Sequence, residues 1–262
     1  MNKEYFGSHQ GIYFPTNFLT NLERLMSSDI QEQLSIPKDF RAGYVAVVGL
    51  PNVGKSTLLN QILHFKLSIV SPKPQTTRKN VLGILSDEKY QIVFIDTPGI
   101  LQPKYNLQKY MLKQVKMAME DADVLLYVVD VTDKRLDVDA VKEQLQGVEK
   151  PVVLALNKID LIDRRTLLPM IESYKDIFPF QAIIPISALK NDGLDRVLDE
   201  LIKCLPENPP YFPSDYLSNQ QERFFVAEII REKIFQRYGE EIPYATHVDI
   251  EEFKERPGGK DY

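Results

Sequence analysis

Apolar and polar positions alternate along this chain in two periods, and the switch between them sets out its elements. Tyr44 to Val48 is an apolar run that reads as a strand, followed by a glycine-rich loop and a helix opening at Thr57. Val81–Leu85 and Gln91–Ile95 read as strands joined by the turn Ser86-Asp87-Glu88-Lys89, and Gln108–Asp121 has helical spacing. Val124–Val129 and Val152–Leu156 are continuous apolar runs, the pattern of parallel strands buried on both faces. Helices are predicted at Val138–Gln146 and Arg164–Asp176, a last strand at Ala182–Ile186 and a helix at Leu194–Cys204. Such strand–helix alternation predicts an α/β fold, a doubly wound and mostly parallel sheet with helices on both faces. Ligand then belongs outside the carboxyl ends of the strands.

The two ends of the chain break this rhythm. Residues 1–42 form an N-terminal extension in which Phe18, Leu22, Leu25, Met26, Ile30 and Leu34 recur at near-helical spacing. Its acidic residues and lack of an apolar h-region argue against a signal or transit peptide, and Met26 is an alternative start. Residues 206–219 carry a proline-rich linker. Beyond it, Glu222–Tyr238 reads as a helix and Ala245–Phe253 as an alternating strand. One helix and one strand build no core of their own, so this second domain reads as cut off at Tyr262.

Composition narrows the class without deciding it. The 262 residues are 44% hydrophobic with net charge −5, so no global basic signature of nucleic-acid binding is present. Cys204 is the sole cysteine, which excludes an internal disulfide framework, and no apolar run reaches the ~18 residues of a membrane span. His9, His64 and His247 are scattered and form no metal-ligand cluster.

The chemistry sits where the predicted strands end. Gly49-Leu50-Pro51-Asn52-Val53-Gly54-Lys55-Ser56 is a G-x-x-x-x-G-K-S phosphate loop between a strand and the helix that Thr57 opens. Its backbone N–H groups wrap a polyphosphate, which a Cβ at Gly54 would obstruct. Lys55 reaches the β- and γ-phosphates and Ser56 ligates Mg²⁺. Asp96-Thr97-Pro98-Gly99 ends the strand QIVFI, 41 residues beyond Lys55. Asp96 is placed to hold Mg²⁺ through water, and the Gly99 N–H to bond the γ-phosphate. Asn157-Lys158-Ile159-Asp160 ends the strand VVLAL. The Asp160 carboxylate accepts from guanine N1–H and N2, whereas adenine would leave that buried group unpaired. Asn157 ties this loop to the phosphate loop and the Lys158 stem covers the base. Ser187-Ala188-Leu189 follows the last strand, with the Ala188 N–H offered to guanine O6. Ser71–Arg78, SPKPQTTR, lies where a γ-phosphate-sensing loop belongs, and Thr76 or Thr77 supplies a hydroxyl to Mg²⁺, with Thr77 favoured. The expected ligands are GTP and GDP, with Lys55, Thr77 and Gly99 at the reacting phosphate.

With these motifs, the tail ERFFVAEIIREKIF and EEIPYATHVDIEEFKE, residues 43–262 resemble the Era family of bacterial ribosome-assembly GTPases. The resemblance implies a GTPase domain over 43–205 joined to a KH-type RNA-binding domain at 220–262. It implies GTP hydrolysis as a switch in small-subunit maturation, through 16S rRNA and the pre-30S subunit. It also implies a cytoplasmic protein with peripheral contact to the inner membrane. No G-x-x-G loop follows the helix–strand pair, and Pro257-Gly258-Gly259-Lys260 reads as a hairpin turn. Residues 206–262 carry seven Lys and Arg against twelve Asp and Glu, the wrong sign for an RNA surface. Ras-like enzymes orient the attacking water with a glutamine after the DxxG glycine; here Ile100 stands there, as in the Era-like group. Related GTPases with an asparagine like Asn52 use bound K⁺, so Asn52 is either a K⁺ ligand or a residue that shapes the loop.

Overall fold

The structure, a computed structural model, describes residues 37–133 and 138–252. From Asp39 onward they belong to one compact unit. Six strands form its sheet: β1 (Arg41–Val48), β2 (Val81–Ser86), β3 (Tyr90–Asp96), β4 (Val124–Asp130), β5 (Val152–Asn157) and β6 (Ala182–Ile186). Their order is β2-β3-β1-β4-β5-β6, with β2 antiparallel to β3 and every other pair parallel. The helices are α1 (Lys55–Ile62), α2 (Asn106–Asp121), α3 (Val138–Gln144), α4 (Leu167–Lys175), α5 (Leu194–Cys204), α6 (Glu222–Arg237) and the single turn α7 (Ile242–Ala245).

Successive strand residues face opposite sides of the sheet, and both sides are apolar. Val45 and Val47 of β1 join Leu58, Leu59, Phe94, Leu126, Val197 and Leu201 in a core beneath α1 and α5. Ala46 and Val48 join Val115, Ala118, Leu125, Leu154 and Tyr174 beneath α2 and α4. The register brings the carboxyl ends into line. Asp96 lies opposite Val47, Asp130 opposite Asn157, and Asn157 opposite Ile186. The loops after β1, β3, β5 and β6 therefore open at one edge of the sheet, where the order reverses across β1.

Several expectations change. The helix expected over Arg164–Asp176 is a 3₁₀ turn, Arg164–Thr166, followed by α4. The strand expected from Ala245 is absent: Ala245 ends α7, and residues 246–252 join no strand. Alternation makes a strand only where another strand supplies hydrogen bonds, and none lies beside it among the described residues. Phe253, the turn at 257–260 and the amphipathic stretch 18–34 lie outside the described residues. The proline-rich linker is a strap. Pro206 O accepts from Ala42 N at 3.2 Å, Leu217 O accepts from Ile84 N at 2.9 Å, and Ser218 Oγ donates to Leu82 O at 2.6 Å. Gln91, buried in β3, accepts from the N–H groups of Tyr211 (2.7 Å) and Phe212 (2.9 Å). The free edge of β2 is thereby covered, which removes a site for unwanted strand pairing.

Candidate functional site

The phosphate loop runs from the end of β1 into α1 with three residues at positive φ, Gly49 (143°), Asn52 (64°) and Gly54 (101°). A Cβ at Gly54 would lie 2.3 Å from Asn157 Nδ2, so the glycine serves the base-side loop as well as any anion. Lys55 is buried, its Nζ donating to Gly49 O (3.1 Å) and Leu50 O (2.9 Å). Burial pulls its pKa down to about 8, opposed by the Asp96 carboxylate. Beside it lies a cavity of about 420 Å³ whose lining includes Asn52, Lys55, Ser56, Thr57, Thr77 and Gly99.

Asp96, at the end of β3, is fully buried. Its Oδ2 accepts from Ser56 Oγ at 3.0 Å and Thr77 Oγ1 at 3.3 Å, and those two hydroxyls are 3.3 Å apart. Its Oδ1 makes no hydrogen bond of ordinary geometry among the described residues, although the buried Ser68 hydroxyl lies near the carboxylate and favours its charged form. Burial pushes this carboxyl's pKa up, against neighbouring hydroxyls and the Lys55 ammonium. A buried carboxylate oxygen without a regular hydrogen bond is costly unless something else binds it. Hard oxygen donors gathered in this way fit Mg²⁺, which takes few protein ligands and completes its shell with water and phosphate. Thr77 joins the cluster, whereas the Thr76 carbonyl turns to Arg231. Gly99 is pressed against the phosphate loop: a Cβ there would meet Pro51 N at 2.6 Å. Thr97 is buried and donates to Val47 O at 2.7 Å, fixing the turn that carries Pro98 and Gly99. Ile100 N donates to Gly49 O at 3.0 Å, while the Ile100 side chain packs on the α2 face of the core.

The base-side residues pair with one another. Asn157 Nδ2 donates to Val53 O (2.7 Å), tying β5 to the phosphate loop, and its Oδ1 accepts from Lys158 N (2.8 Å) and Ala188 N (2.9 Å). The Ala188 N–H, expected to face guanine O6, is thus engaged by Asn157. Asp160 is exposed rather than buried, and its Oδ1 accepts from the buried Ser187 hydroxyl at 2.6 Å. Leu189 is exposed. Lys158, at φ 71°, sends its Nζ to Asn52 O (2.9 Å) and Asp130 Oδ2 (2.5 Å). Sequence reasoning missed Asp130. The available signal was its place, an acid closing an apolar strand as Asp96 does. Asn52 Nδ2 donates to Pro72 O at 2.8 Å, joining the phosphate loop to 71–78.

Comparison with known proteins places this geometry. A model of 50S ribosome-binding GTPases matches residues 44–158. GTPase Era of Geobacter sp. (strain M21) is 48% identical over 223 residues, spanning 85% of this chain and 75% of that one. The chain belongs to the Era family of GTPases. Era of Clostridium acetobutylicum is 47% identical over 218 residues, 82% of this chain and 73% of its own. Among solved structures, Era in complex with MgGDPNP and nucleotides 1506–1542 of 16S ribosomal RNA superposes with a TM-score of 0.75. It is 42% identical, covering 79% of this chain and 70% of that one. A variant of Aquifex aeolicus Era bound to GDP·AlF4⁻ gives 0.74 at 42% identity, with coverage of 78% and 70%. The Era fold, a mostly parallel six-stranded P-loop GTPase sheet, is the fold described above. Among the described residues no helix is long and apolar enough to cross a membrane.

Proposed function

We propose that this GTPase binds Mg²⁺–GTP at the strand-end cavity and uses its hydrolysis as a switch on the assembling small ribosomal subunit, through 16S rRNA. One observation carries the site reading: the buried Asp96 carboxylate gathers the Ser56 and Thr77 hydroxyls beside Lys55. Ser56, Thr77 and Asp96 would hold the metal, which when bound neutralises charge developing on the transferred phosphoryl group. Lys55 gives up its carbonyl partners for the β- and γ-phosphates, and the Gly49–Thr57 backbone wraps them. Thr97 and Pro98 present Gly99 to the terminal phosphate. Asp160 accepts from guanine N1–H and N2, and base binding buries its carboxylate. Ile100 orients no water, so positioning and electrostatics carry the reaction and intrinsic turnover is slow. Asn52 is the residue through which K⁺ would act.

The ribosomal part rests on the family, of which one solved member holds MgGDPNP together with nucleotides 1506–1542 of 16S ribosomal RNA. Residues 220–262 are read as belonging to a KH-type RNA-binding domain. The family also carries a cytoplasmic location with peripheral contact to the inner membrane, which flotation with anionic vesicles tests. The test of the switch is binding of the chain to RNA from the small-subunit 3′ end, against a scrambled RNA. Binding that requires a non-hydrolysable GTP analogue and is lost with GDP is expected. Equal binding in both nucleotide states would overturn the switch.

A further inference from the structure

The loop Ser71–Arg78 is held from outside as well as from the phosphate side. Lys73 Nζ donates to Phe235 O (2.6 Å) and to Tyr238 O, carbonyls at the carboxyl end of α6. Arg78 donates to Pro243 O and Tyr244 O, both at 2.9 Å, and to Thr246 O at 3.2 Å, all in or just after α7. The last carbonyls of a helix have no partner within it and sit at the negative end of its dipole, so cations suit them. Two cations of one loop thus cap two helices of the C-terminal segment.

The return contact is made by Arg231 of α6. This arginine is buried, paired with Glu228 through two 2.8 Å hydrogen bonds, and lies over the Phe235 ring at 5.6 Å. Its Nη2 donates to the Thr76 carbonyl at 2.5 Å, and its Nη1 has no partner among the described residues. Burying a guanidinium is costly, and the Glu228 carboxylate and the Thr76 carbonyl are the contacts that offset that cost here. The Thr76 carbonyl belongs to the planar peptide that leads into Thr77, so fixing it restricts where Thr77 stands. Thr77 Oγ1 in turn lies 3.3 Å from both Ser56 Oγ and Asp96 Oδ2.

We propose that Arg231 is a positioning residue for GTP hydrolysis: it holds the Thr76 carbonyl so that the Thr77 hydroxyl stays beside Ser56 and Asp96. The C-terminal helices thereby set the metal dependence of a site to which they contribute no ligand. By reciprocity, metal-bound triphosphate tightens the docking of α6. This rests on the assignment of Thr77, Ser56 and Asp96 to the metal.

The experiment titrates Mg²⁺ against binding of a fluorescent non-hydrolysable GTP analogue, with steady-state phosphate release measured alongside. Arg231→Met should raise the Mg²⁺ concentration for half-maximal binding about tenfold and lower kcat, with metal-free GDP affinity unchanged. Arg231→Lys, which keeps one donor, should fall between Arg231→Met and the unaltered protein. Lys233→Met, on the exposed side of α6, should leave both readouts alone. Thr77→Val separates the two readings. If Thr77→Val shifts the Mg²⁺ dependence while Arg231→Met only lowers Tm, the positioning role is overturned and the metal site stands. If Thr77→Val shifts nothing, the metal assignment itself fails. Should Arg231→Met fail to fold, the double variant Lys73→Gln, Arg78→Gln is read by the same criteria.

Discussion

The two ends of the nucleotide site differ in how far their polar groups are already paired with one another. On the side assigned to guanine, Asn157 engages Val53, Lys158 and Ala188, and Ser187 engages Asp160. On the phosphate side, Asp96 Oδ1 is buried without a regular hydrogen bond among the described residues, and Lys55 is buried against two carbonyls. A network with its hydrogen bonds made is rigid, and rigidity suits selection among bases. Lys55 and Asp96 offset the cost of each other's burial only in part, so this side favours a ligand that brings further charge of both signs, as a metal–triphosphate pair does. The base side and the phosphate side of the proposed site are thus built on different principles.

This contrast can be broken from either side. The largest effect belongs to Lys55→Ala, which should cut GTP turnover at least ~100-fold in phosphate-release assays, as expected for loss of a charge-stabilising donor. Near-normal turnover would remove Lys55 from the reacting phosphates. Asp160→Asn should weaken GTP binding about 10- to 100-fold, the worth of hydrogen bonds to a charged group. Because it replaces an acceptor with a donor, it should improve binding of xanthosine triphosphate, which carries a carbonyl where guanine has its amine. Stability should barely move, since Asp160 is exposed.

A smaller effect concerns pH. Lys55 has its pKa lowered from 10.5 to about 8. Below pH 8 both folded and unfolded chains carry the ammonium, and its contribution is flat. Between about pH 8 and 10.5 the folded chain binds fewer protons, so ligand-free stability rises with pH through this group. Triphosphate favours the ammonium, so binding above pH 8 should take up protons. Calorimetry in buffers of differing ionisation enthalpy measures this, and Lys55→Met should abolish it. The smallest expected effect is a severalfold preference for K⁺ over Na⁺ in turnover, lost in Asn52→Ala. Equal rates in the two salts would leave Asn52 as the tie to Pro72 alone.

The sheet was legible in the sequence because its strands are buried on both faces and so appear as unbroken apolar runs. The residues that end those runs, Asp96 and Asn157, were legible for the same reason. Contacts between distant segments were not. Nothing in LPENPPYFPSDYLSN shows that Gln91, about 120 residues earlier, binds the backbone of Tyr211 and Phe212. The alternation after Ala245 suggested a strand, yet pairing is a property of two segments and cannot be read from one. Asp130 carried a positional signal only, and the partnership of Arg231 with Thr76 carried none.

The most direct test of the account is multiple-turnover phosphate release from GTP, measured with and without a large excess of ATP and with Mg²⁺ present or chelated. Turnover that ATP leaves nearly unchanged and that chelation abolishes is expected. Suppression in proportion to ATP would contradict the guanine assignment of Asp160. Turnover that survives chelation would contradict the assignment of Ser56, Thr77 and Asp96 to the metal.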